Sequence, residues 1–143
     1  MFGTDRDAMR RVFSAAWHKA NNNEPLQPLE RLVAEVIAEH PEYHPLLAMA
    51  DGGIDREFPP ELGKTNPFLH LGLHISVREQ LAVDRPPGVV ALYRRIRLRA
   101  GDAHATEHRV MECLAQSLWE AQRAGRMPDE AGYLDCLRSL AGS

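Results

Sequence analysis

The chain has 143 residues, 44% hydrophobic, 26% charged and only 6% aromatic, with a formal net charge of −3 when histidine is counted neutral. That balance is ordinary for a globular domain with a sizeable core. It excludes a global basic field of the kind that gathers nucleic acid, and no run approaches the roughly 18–20 apolar residues a membrane span needs.

Apolar positions repeat at three and four residues almost everywhere, and Ala, Leu, Arg and Glu carry the bulk, so the sequence predicts helices throughout. A first helix runs from about Asp5, capped by Thr4 or Asp5, to Asn22. Its stripe is Ala8, Met9, Val12, Phe13, Ala16 and Trp17, with His18 on the wet edge. Asn21-Asn22-Asn23, Pro25 and Pro28 break the chain. The second helix, Pro28 to Glu39, presents Leu29, Leu32, Val33, Val36 and Ile37. His40 and His44 follow, each directly before a proline. A residue in that position is pushed out of the α region, so this pair does not sit on one unbroken helix. A short helical turn is expected over Pro45 to Ala50. The stretch from Asp51 to Lys64, with Pro59-Pro60 inside it, reads as a surface or lid-like loop.

The third long helix begins with Asn66 as N-cap and Pro67 at the first helical position, and reaches about Val83. Phe68, Leu69, Leu71, Leu73, Ile75 and Val77 leave it only a narrow polar face, into which His70 and His74 are set. Asp84-Arg85-Pro86-Pro87-Gly88 ends it. The fourth helix, Pro87 to Ala100, carries Arg94, Arg95, Arg97 and Arg99 and is closed by Gly101. Cations in a last turn suit the helix dipole; an anionic ligand or an acidic protein partner is the other reading of that stripe. The fifth helix is capped by Asp102 and runs to Ala124. His104, Glu107, His108, Met111, Leu114, Ala115, Leu118 and Ala121 share its face. A sixth starts near Met127-Pro128-Asp129 and packs through Tyr133, Leu134, Leu137 and Leu140. The expected fold is all-α: one domain over residues 1–143, a compact bundle of five to six helices. Cys113 and Cys136 are too few for a disulfide framework and read as reduced thiols of a cytoplasmic protein. The charged N-terminus has no signal-peptide core.

Six of the seven histidines fall in three pairs spaced by four, His40/His44, His70/His74 and His104/His108. Shuffling the same composition gives about 0.3 such pairs when matches are counted. Two imidazoles at i and i+4 project from one helical face, so two such helices can surround one ion. The expected ligand set is His70, His74, His104, His108 and Glu112, with His40 and His44 as further candidates. The expected cofactor is a divalent metal, zinc first, then iron or nickel. His104-Ala105-Thr106-Glu107-His108 also fits the H-x-x-E-H pattern of inverted zinc peptidases, which offers Glu107 as a catalytic base. A large peptidase fold does not fit in 143 residues. What stays open is a small zinc-dependent hydrolase, or an interaction or scaffold protein whose histidines form a buried polar network. Carboxylate-bridged di-iron chemistry would need paired Glu-x-x-His motifs, and the chain has none.

Asn66-Pro67-Phe68-Leu69-His70-Leu71-Gly72-Leu73-His74, with Arg78-Glu79-Gln80 and Asp84-Arg85-Pro86 after it, resembles a family of small proteobacterial proteins, domain of unknown function 1841. The likeness continues through His40-Pro41-Glu42-Tyr43-His44, His104 to His108, Met111 to Leu114 and Leu118 to Arg123. The resemblance implies a bacterial cytoplasmic source. It brings no activity and no catalytic residues.

Overall fold

A computed structural model describes residues 6–48 and 66–142. Seven α-helices lie within them: α1 (Arg6–Asn21), α2 (Pro28–Ala38), α3 (His44–Leu47), α4 (Pro67–Val83), α5 (Val89–Ala100), α6 (Ala103–Ala124) and α7 (Glu130–Ala141). A 3-10 turn, Pro41–Tyr43, precedes α3, and no strand occurs among the described residues. The all-α class is as expected. The count exceeds five to six because the turn after Pro45 is a helix in its own right, though only four residues long. The expected cap of α1 and the loop from Asp51 to Lys64 lie outside the described residues.

The chain divides into two compact units, Met1–Ile75 and Ser76–Ser143, with the boundary falling inside α4. In the first, α1 packs on α2, and Phe13, Ala16, Val33, Val36, Ile37, Leu47, Phe68, Leu71 and Ile75 form the core. The α1 stripe is rotated slightly from its expected centre. Phe13 and Ala16 are buried, Val12 stays 39% exposed, and Arg10 is enclosed with its guanidinium 4.4 Å over the Phe68 ring. Such stacking lets a cation accompany an aromatic inward. α2 opens on Pro28, with the Gln27 amide donating to Glu30 Oε1 at 2.9 Å.

In the second unit α5, α6 and α7 pack on one another through Val89, Leu92, Ile96, Val110, Met111, Leu114, Ala121 and Leu137. α5 starts two residues later than expected. Asp84 turns the chain at φ +52°, and its carboxylate accepts from the Gly88 and Val90 amides before the helix begins. Asp102 caps α6 as expected, accepting from the Ala105 amide at 2.7 Å. The cysteines are a correction. Cys113 on α6 and Cys136 on α7 are joined as a disulfide across 5.8 Å between Cα atoms, so the reduced-thiol reading does not hold. Their neighbouring helices bring together two residues that are 23 apart in sequence, a pairing helical periodicity alone does not reveal.

Candidate metal centre

Three histidines meet inside the first unit, and the local chemistry of each arises separately. His40 stands where α2 ends. Pro41 forces it out of the helix, to φ −126° and ψ 68°. Its ring then folds back so that Nδ1–H donates to the Val36 carbonyl at 2.7 Å. That bond fixes the tautomer: the lone pair is left on Nε2. This residue is only 4% exposed, and Nε2 has no hydrogen-bond partner among the described residues.

His70 and His74 come from the first turns of α4, whose start is set by Asn66. Its side-chain oxygen accepts from the amides of Phe68 (3.0 Å) and Leu69 (3.2 Å), the capping expected from sequence. Four residues apart, the two rings lie 4.8 Å between centroids, and their Nε2 atoms face each other at 3.2 Å. His74 is 1% exposed and His70 is half-buried. The His40 ring is 5.2 Å from that of His70 and 4.6 Å from that of His74, edge-on to both. One ring nitrogen from each of the three lies within 4.8 Å of the others. Tyr43 stacks on His40 at 5.6 Å and meets His70 edge-on at 6.2 Å. Burial foremost, then the charge of Glu42, raises the Tyr43 pKa and keeps its phenol neutral.

His44, expected beside His40, is placed elsewhere. Its ring lies 4.5 Å from the Trp17 ring and its Nε2–H donates to the Ile37 carbonyl at 2.9 Å. Pro41, which stands between them, divides this pair: one member enters the cluster and the other packs on Trp17 of α1.

The second unit holds the remaining expected residues. On α6, His104 is exposed, with its ring 4.2 Å from that of His108. His108 is half-buried and its Nδ1 lies 3.1 Å from the His104 carbonyl, so Nδ1–H donates there and Nε2 keeps the lone pair, as in His40. Glu112 is exposed. Glu107, expected as a base, is buried and accepts from Arg78 Nε at 3.1 and 3.3 Å through its two oxygens. Sequence reading placed these residues on the right helix. It did not foresee that Arg78 would claim the carboxylate, because a helical pattern gives no partner on another helix.

Fold and cluster together define an all-helical protein with buried, convergent imidazoles. Residues 5–139 match the family described as domain of unknown function (DUF1841), and the chain belongs to that family. No curated protein and no solved structure matches it.

Proposed function

We propose that this is a metal-binding protein whose site is built on His40, His70 and His74, with zinc as the preferred ion. The observation that carries the reading is His40 Nε2. A buried polar atom without a partner costs about 1–3 kcal/mol, and a lone pair aimed among other imidazoles is what a cation would satisfy. The separation of the His70 and His74 nitrogens adds support. Two imidazoles on a tetrahedral zinc at about 2.0–2.1 Å stand roughly 3.3–3.4 Å apart, close to the 3.2 Å between these atoms. The three nitrogens, within 4.8 Å of one another, would close to that spacing by ring rotation.

A set of imidazoles without thiolate or carboxylate suits zinc, and iron or nickel to a lesser degree. Three such ligands would hold the ion, and the ion pair of Glu107 with Arg78 speaks against hydrolysis through that carboxylate, since a carboxylate held by a guanidinium is a poor base. A polar network without metal is the second reading, favoured by one fact: 3.2 Å between two Nε2 atoms also suits an N–H···N bond.

Among the described residues no helix is long and apolar enough to cross a membrane. A cytoplasmic location is part of this proposal, although a disulfide persists more readily in an oxidising compartment.

Chemical unfolding with and without zinc separates the two readings. At zinc one hundred times its Kd, the chain should gain about 2.7 kcal/mol. His40→Leu should abolish the gain while folding in the absence of metal, because the Val36 carbonyl still accepts from the Glu39 amide. His104→Ala should keep it. A zinc response that survives in His40→Leu, or none in the wild type, contradicts the proposal.

A further inference from the structure

The arginine stripe of α5 divides into residues that face solvent alone and one that faces a cavity. Arg94, Arg95, Arg97 and Arg99 are all exposed, but only Arg99 lines a recess of about 250 Å³ formed within the second unit. Its other walls are Ile96 and Ala100 of α5, Arg109 of α6, and Ser139 and Leu140 of α7. Two arginines from two helices therefore line one cavity, and no carboxylate lines it. Neither Arg99 nor Arg109 has an ion pair or hydrogen bond among the described residues. Asp135, the acid one turn before Ser139, is occupied by Arg138 at 2.6 Å. Arg99 is also positioned. Its guanidinium lies against Gly142, at the left-handed cap (φ +86°) that ends α7, and a Cβ there would collide with it. The Ser139 hydroxyl, at 3.3 Å from the Asp135 carbonyl, holds only a long bond and can turn to donate into the cavity.

We propose that this cavity is a binding site for a small tetrahedral oxyanion, inorganic phosphate or a phosphate monoester, held between Arg99 and Arg109. Planar guanidinium groups present paired N–H donors that match phosphate oxygens. The protein's net charge of −3 supplies no general attraction for anions, so affinity must come from this local pair. Ile96 and Leu140 supply the small apolar part of the wall, against which a monoester's organic group can rest. The site is independent of the histidine cluster.

The test is an NMR titration of the full chain, chelator-treated so that phosphate cannot report on bound metal. Inorganic phosphate and glycerol phosphate are added separately, with chloride at matched ionic strength as control. Saturable shifts of the Ser139 and Gly142 amides are expected. Arg109→Gln should weaken binding about tenfold or more, the loss of a hydrogen bond to a charged group. Arg94→Gln, on the same helix outside the cavity, should leave it unchanged. Tighter binding of glycerol phosphate assigns the site to monoesters, and equal or weaker binding assigns it to the free ion. Shifts reproduced by chloride, shifts that do not saturate, or equal weakening by both variants overturn the proposal.

Discussion

Tyr133 illustrates how one side chain ties burial to pH. Its hydroxyl donates to Gln80 Oε1 at 2.6 Å and the residue is 4% exposed. Burial raises its pKa, against a smaller lowering by the Gln80 hydrogen bond. Above about pH 10 the unfolded chain gives up this proton while the folded chain keeps it, so the tyrosine's stabilising contribution is full below that pH and falls as pH rises. Tyr133→Phe should lower stability at pH 7 by about 1 kcal/mol, for the lost hydrogen bond, yet decline less steeply at alkaline pH. Tyr43, also raised, retains part of the decline in both proteins. Urea unfolding at pH 7 and pH 11 measures this, and parallel losses in both proteins would contradict it. At the same scale, periodicity anticipated the burial of His74 and could not anticipate that of Arg10. An arginine inside is tolerated here because Phe68, nearly 60 residues on, lies beneath it.

The elements were the most legible level. α4 begins and ends where its cap, its proline and its apolar run put it, because those signals act within a few residues of one another. Asn66 satisfies two amides at its start, so Asn66→Ala should cost about 1 kcal/mol, within a range of roughly 0.5–2. It should also loosen the turn that carries His70. Thermal or urea unfolding would register the loss, and an unchanged midpoint would mean the cap is dispensable. α5 shows the opposite case. Pro87 looked like a first helical residue, but the turn at Asp84 delays the helix to Val89. A backbone with positive φ at a non-glycine residue leaves little trace in sequence. Pro41 breaks the helix after His40 as expected, whereas His44, directly before Pro45, keeps α geometry and opens α3, with Pro45 in its first turn. What Pro41 builds, a ring folded back on Val36, depends on the turn it forces and not on spacing.

For the whole molecule, the all-helical class follows from composition and period, since both reflect the same local preferences. Long-range pairings do not follow. The Cys113–Cys136 disulfide, the Arg78–Glu107 ion pair and the Tyr133–Gln80 hydrogen bond each join residues on different helices. The same gap reshaped the candidate site. Spacing picked out three pairs, with His40 and His44 as the further candidates; the fold brings the His40 ring to those of His70 and His74, and leaves His44 against Trp17 and Glu112 in solvent. The histidine excess drew attention to rings that converge, and which of them do so depends on the turn at Pro41 and the start of α4. The central claim is metal binding, and elemental analysis of the full chain purified without an affinity tag, then exposed to zinc and gel-filtered, tests it most directly. The account predicts about one zinc per chain, the content of a single site, whereas less than ~0.2 per chain after zinc or iron addition would contradict it.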